Sequence, residues 1–435
     1  MIDATSASLH ARESRALRRR AAAATDTGEG LALLMTGAAV AMLPFLVPRG
    51  PANMAPVDLL MGGAIVAVVL WAASNRLDWR FPYVLPFGIF MLGGALGALV
   101  GPVPDAGIVA VVQDFVLIAW CWALVNLCRS PSRALVLVRT WIYSSIAWTV
   151  LLFVGLALGA TALTGQTAKN ASRTALTFVD PNVSANYYFI SLMLIWATGY
   201  PRRRQHRVAA YAILVAAIIS TGSNSGAVSL VVGTVAAALI LVYRRSGTAS
   251  AVAATAFVLL AAGVLSTTLR MSAIQDRAGE SRWSFIREGV GRSDVSVQQR
   301  EMLRDESLRL YTSGSILGEG PVSTKTRLEH DLAPFAKEAH DDYFAALIER
   351  GAIGVLGLLL LVGGIVVRGF AVARTRAAKV IYVVPRPHAL AGAVAGTMVA
   401  MTVYELLHVR HVWALFALVA ALYAWTREWK SPAAS

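Results

Sequence analysis

The sequence is poor in charge and nearly empty of cysteine. Only 15% of its 435 residues are Asp, Glu, Lys or Arg, against about 25% in soluble domains. Acids are the scarcer sign, with 25 Asp and Glu to 39 Lys and Arg. The two cysteines, Cys121 and Cys128, stand roughly 10 Å apart at the helical rise, beyond disulfide reach. Both read as packing residues, which excludes a disulfide scaffold and a thiolate metal centre. There is no P-loop, no dinucleotide fingerprint and no serine elbow in a strand–turn–helix setting. Low-complexity linkers and internal repeats are also missing, which argues for one domain.

What the chain does have is apolar length. Hydrophobic residues make up 57% of it, and the mean hydropathy is +0.60. The apolar blocks are long enough to cross a bilayer, so the expected fold class is all-α, a polytopic membrane protein with about twelve transmembrane helices. The spans fall near 30–48, 57–74, 82–101, 107–128, 140–163, 183–200, 207–222, 224–243, 249–268, 343–367, 388–407 and 411–426. Around them lie a basic tail (1–28), a long loop (269–342) and a short C-terminal tail (428–435). The arginines of the first tail precede no clear small-residue cleavage site, which predicts an uncleaved first helix.

Orientation follows from the loops. Arg76 and Arg80, Arg129 to Arg139, Arg202 to Arg207, Arg244 and Arg245, and Arg368 to Lys379 all fall on one side. The positive-inside rule makes that side cytoplasmic, with both termini inside a plasma membrane. The net charge of +14 is therefore explained by topology, and nucleic acid is not an expected partner. The long loop lies outside and is near neutral. Its segment 298–312 places Met302, Leu303, Leu310 and Tyr311 among charges at loosely helical spacing, which suggests a surface helix.

Candidate chemistry gathers on the outer face. Arg173 lies just before Phe178, Asp180, Pro181 and Asn182, at the mouth of a span. It reads either as a solvated loop residue or as a two-bond ligand for phosphate. Asp180-Pro181-Asn182 could equally be a plain turn before a helix. Ser220 to Gly226 interrupts an apolar stretch, as a tight turn or as the wall of a polar cavity. His340 is the residue of its motif that could titrate near neutrality without help, so it could accept a proton from a hydroxyl or donate a hydrogen bond to a substrate oxygen. It could also be an interfacial residue with no chemistry. Asp342 and Glu349, two helical turns apart, fall on roughly the same face. Glu405, His408 and His411 recur at three-residue steps, but the zinc-protease pattern is absent, and with Arg410 they suggest a polar patch rather than a metal site.

In this order the motifs resemble the bacterial O-antigen ligase and polysaccharide polymerase-type membrane glycosyltransferases. His340-Asp-Asp-Tyr343-Phe-Ala-Ala-Leu347-Ile-Glu349-Arg-Gly351-Ala-Ile-Gly354 looks like that family's H-[ND]-x-[YF]-x-x-x-L-x-E-x-G-x-x-G. Arg173 with Phe178, Pro181 and Asn182 looks like its R-x-x-x-x-F-x-x-P-N. Arg300 and Gly318-Glu-Gly320-Pro321 match the family's periplasmic helix and its exit. The resemblance covers the chain from about the fifth span onward. It departs at Asn224, where the family often has arginine; Arg270, Arg277 or Arg410 would then supply that charge. The resemblance implies a glycan donor carried on undecaprenyl diphosphate, an acceptor glycan or glycolipid, and a site facing away from the cytoplasm. It implies no cofactor and no metal. Arg173 and Arg300 would hold the diphosphate, His340 would act on the acceptor hydroxyl, and Asp342 and Glu349 would orient the site. Asn224, Glu405, His408 and Arg410 would be accessory. The alternative class is a transporter, such as a flippase for lipid-linked sugars. It would be expected to show repeated halves and charges near the membrane midplane.

Overall fold

The computed structural model describes residues 28–48, 50, 54–167, 173–268, 276–282, 287, 305, 309, 311–312, 314–324 and 341–428. His340, Arg300, Arg270, most of the 298–312 segment and nearly all of both tails lie outside the described residues. Those that are described form helices, with no strand among them. In chain order these are α1 (Gly28–Ala41), α2 (Pro56–Ser74), α3 (Val84–Val100), α4 (Pro104–Leu127), α5 (Pro131–Leu158) and the single turn α6 (Thr161–Thr164). After these come α7 (Pro181–Thr198), α8 (Arg204–Ser220), α9 (Asn224–Thr268), α10 (Asp342–Arg374), α11 (Ala378–Val383), α12 (Pro387–Ala400) and α13 (Arg410–Glu428). Five of them, α2, α4, α5, α9 and α10, are long and apolar enough to cross a membrane. Large apolar side chains such as Leu59, Leu85, Leu99 and Leu158 are exposed on the outside of the bundle, as a lipid-facing surface requires.

Local chemistry sets the ends. Pro56, Pro104, Pro131, Pro181 and Pro387 each sit in a first helical turn, where a missing N–H costs nothing. Gly159 and Gly199 close α5 and α7 in the left-handed conformation, which glycine adopts freely. Cys121 and Cys128 are buried and unbridged.

Three stretches differ from the sequence expectation. The helix predicted from residue 140 begins at Pro131, so Arg133 and Arg139 are helical. Arg133 pairs with Glu29 at 3.0 Å and lies over Trp71, so long basic side chains reach sideways instead of requiring a loop. The stretches 224–243 and 249–268 run on as one helical element, broken only at Gly247 (φ 82°). The helix expected to reach residue 407 stops at Ala400, because the amides of Leu406 and Leu407 are taken by a carboxylate from α10.

The core has two seams. The first joins α3 to α10. Gly93 and Gly97 are one turn apart on α3, and a Cβ on either would strike α10 backbone: at Gly93 the amide of Gly354 (2.5 Å), at Gly97 the carbonyl of Glu349 (2.5 Å). Small residues at four-residue spacing let helix backbones approach in lipid, where no hydrophobic force drives helices together. The second seam joins α9 to α12, where Gly233 and Gly396 leave room for the ring of Phe189 on α7. Nearly every residue of α7 is buried, so it forms the centre of the bundle.

Gly351 breaks α10 at φ 62°, and a Cβ there would overlap the carbonyl of Ile316. Gly351→Ala should lower stability by roughly 1–3 kcal/mol. Gly363→Ala on the same helix meets nothing within 4 Å and should be neutral or slightly stabilising. Unfolding midpoints of the two variants in detergent test this, and equal midpoints would refute it.

Candidate functional site

Arg173 is not a solvated loop residue. It is buried, and its Nε donates to the carbonyl of Thr221 at 2.7 Å. Its Nη2 reaches Asn182 Oδ1 at 3.5 Å. The Asn182 oxygen also accepts from Ser223 Oγ at 2.7 Å and lies 3.5 Å from Ser225 Oγ. Thr174 adds a backbone bond to Ser220 O and a hydroxyl contact with Ser220 Oγ. The 173–182 segment is thus laid across the α8–α9 break. The serine-rich stretch at 220–226 is both a turn between helices and a polar wall, and Asn224 stands exposed on it as the first residue of α9.

The approach to α7 is held in an uncommon backbone. Leu176 and Val179 have positive φ, 48° and 69°. For a β-branched residue that conformation is a true outlier, kept only when the surroundings impose it. Here Ser184 Oγ donates to Ala175 O at 2.5 Å and lies 3.2 Å from Asp180 O, and Asp180 caps α7 through the amide of Asn182 at 2.7 Å. Phe178 then packs edge-on against His411, ring centres 5.5 Å apart. His411 is fully buried, with Nε2 3.0 Å from Asn186 Oδ1 on α7.

The carboxylates of the histidine motif divide the work differently from the sequence expectation. Asp341, not singled out in the sequence, caps α10 by accepting from the amides of Tyr343 (2.7 Å) and Phe344 (3.0 Å). Asp342 is buried and accepts from the amides of Leu406 (2.7 Å) and Leu407 (3.1 Å), while its own amide donates to Met401 O. It therefore shapes the 401–409 loop, which carries Glu405 and the exposed His408. Arg410 is engaged elsewhere, in a two-bond pair with Asp58 at 2.9 and 2.7 Å. Of the other arginines suggested for the charge missing at Asn224, Arg277 is described and exposed. His411 turns into the core and away from the expected polar patch.

Glu349 lies where α10 breaks, its carboxylate facing the 322–324 turn. Its carbonyl accepts from Gly320 N at 2.9 Å, that of Ile348 accepts from Glu319 N at 2.8 Å, and Ala352 N donates to Ile316 O. The Gly318-Glu-Gly320-Pro321 segment is thereby pinned to the kink. Gly318 (φ 86°) has no room for a Cβ, which would sit 2.5 Å from Gly351 N.

Next to Glu349 is a pair that the sequence reading passed over. Arg350 Nη2 meets Asp114 Oδ2 at 2.5 Å, and its guanidinium lies 4.0 Å from the ring centre of Phe90. A lone carboxylate inside an apolar block, as Asp114 is on α4, was the available signal, since such a charge needs a partner. Asn182 was quoted as part of a motif but not chosen as a site residue; it is the hub of the loop contacts.

These contacts bring the starts of α7, α9, α10 and α13 to one end of the bundle, linked through Asn182–Ser223, Asn186–His411 and Asp342–Leu406. The N-termini of α7 and α10 are already capped by the carboxylates of Asp180 and Asp341, so the buried Arg173 is the fixed positive group of the 173–182 segment. Among the described residues no group of three or more His, Cys, Asp or Glu converges as a metal site. Residues 209–362, spanning most of α8, all of α9 and α10 up to its last three turns, match the family model described as O-antigen ligase. No curated protein matches the chain.

Asp342→Ala would leave two buried amides unpaired and should lower stability by about 2–4 kcal/mol. Asp342→Asn keeps one acceptor and should lose less. Detergent unfolding midpoints check this; a parental midpoint for Asp342→Ala would show the carboxylate does not hold the loop.

Proposed function

We propose, from the match of residues 209–362 to the O-antigen ligase family model, that this protein moves a glycan from undecaprenyl diphosphate to an acceptor hydroxyl at the outer face of the plasma membrane. The observation that carries the proposal is the docking of the Arg173–Asn182 segment onto the α8–α9 break, at the bundle end where α10 begins.

The acceptor oxygen attacks the anomeric carbon of the donor sugar, the bond from that carbon to the diphosphate oxygen breaks, and the acceptor proton is taken up as charge develops on the leaving group. A departing diphosphate needs fixed positive charge more than it needs covalent chemistry. Arg173 is held in place through its Nε, so it can meet that charge without reorganising. Arg300 is proposed as a second diphosphate ligand. His340, one residue before the Asp341 cap, takes the acceptor proton, and Glu349 orients the acceptor sugar. Asp342 acts indirectly, by setting the loop that bears Glu405 and His408. The acceptor is a second glycan or a glycolipid. The charge on the leaving group is carried by protein groups, so a chelator should leave activity unchanged.

In purified membranes given a lipid-linked oligosaccharide, Arg173→Ala and His340→Ala should each reduce transfer by about 100-fold or more, with release of undecaprenyl diphosphate falling in parallel. Full activity in both variants would reject the assignment. In a deletion strain, single repeat units on the surface glycan would identify a polymerase, and untransferred long chains a ligase.

A further inference from the structure

A second polar hollow lies at the other end of α7. The helix has 18 residues, so at the helical rise its two ends are roughly 27 Å apart, about the thickness of a hydrocarbon core. At the far end, between the early turns of α5 and the turn leading into α8, is an open cavity of about 770 Å³. Arg139, Arg202, Arg203 and His206 line it, and among the described residues no carboxylate does. Gathering cations around a hollow is unfavourable unless an anion joins them.

Tyr200 organises the cluster. Arg139 lies 4.3 Å from its ring centre and Arg202 5.5 Å. Both guanidiniums also donate to its hydroxyl, Arg202 at 3.2 Å. Burial raises the tyrosine's pKa, yet the hydrogen bonds and charges of the two arginines outweigh it and draw the group below its ordinary value. The phenol therefore fixes two planar forks side by side, while Arg139 Nε is buried with no partner among the described residues. Paired forks match the tetrahedral oxygens of phosphate.

The wall beside the cations is apolar. Tyr143 and Ile146 line it from α5, and exposed Val150 and Val154 continue from Tyr143 along the same helix at helical spacing. A free phosphate would use the cations and ignore this stripe; a lipid uses both.

We propose that this cavity binds the phosphate headgroup of an anionic phospholipid, with its acyl chains lying along α5, in the leaflet opposite the candidate transfer site. The site is independent of the transfer chemistry above, and its ligand is a resident lipid rather than a substrate.

The test uses full-length protein in detergent, titrated with phosphatidylglycerol, phosphatidylcholine or inorganic phosphate, and read by thermal unfolding and by native mass spectrometry. Phosphatidylglycerol should raise the unfolding midpoint and remain bound, while phosphatidylcholine should do neither. Arg139→Gln/Arg202→Gln should weaken phosphatidylglycerol binding by about tenfold or more, given about 1 kcal/mol for each cation. Arg427→Gln, on α13 and outside the cavity, should not. Arg203→Gln/His206→Gln, both at exposed positions, gives a second variant should the first fail to fold, and it too should weaken binding. Equal response to the two lipids, or full binding in both double variants, would overturn the proposal. A shift with inorganic phosphate equal to that with phosphatidylglycerol would also overturn it, by making this a free-phosphate site.

Discussion

Wherever a helix breaks at membrane depth, it frees backbone donors and acceptors that lipid cannot satisfy. The arrangement of this protein follows from how those groups are met. The α8–α9 break is met by Arg173 and Thr174. The α10 kink is met by residues 316–320, and the stretch after α12 by Asp342. In each case the partner comes from a distant part of the chain, so satisfying the break also fixes the fold. The candidate site lies at the bundle end where two of these repairs meet.

The same constraint explains the glycines. A backbone segment that supplies hydrogen bonds to a kinked helix must approach closer than side chains permit. Gly318 and Gly351 face each other at contact distance, and Gly97 presses on the carbonyl of Glu349 from α3. Glu349 and Arg350 are therefore clamped from two sides, and the Asp114 pair fixes Arg350 from a third. The kink is a built feature, stabilised by more than one neighbour.

Much of this was legible in the sequence. Apolar run length predicted an all-helical membrane protein, and the described residues are helical with five helices long and apolar enough to cross a membrane, fewer than the twelve spans expected. Arg173, Asn182 and the serine-rich break were each visible as motifs, and the structure joins them. Other features were hidden because they depend on contacts between distant segments. Nothing local says that Asp342 would spend both oxygens on Leu406 and Leu407, or that this would end α12 early. Arg410 looked available because its partner, Asp58, lies on a helix far away in sequence. The early start of α5 was obscured by arginines that seemed to mark a loop. Asp114 is the exception: it was legible as an isolated charge in an apolar block and needed only the question of what neutralises it.

The burial of α7 has a mechanical consequence. A helix enclosed on nearly all sides has no lipid-facing surface along which to give way, and close-packed interiors compress little. Its first turn carries Asn182, and its last leads directly into Tyr200. A ligand that displaced either end would move a nearly rigid rod whose other end lies at the opposite end of the bundle. The two ends of the bundle are thus joined by a single strut, and strain at the turn through Tyr200 is carried to the segment that holds Arg173.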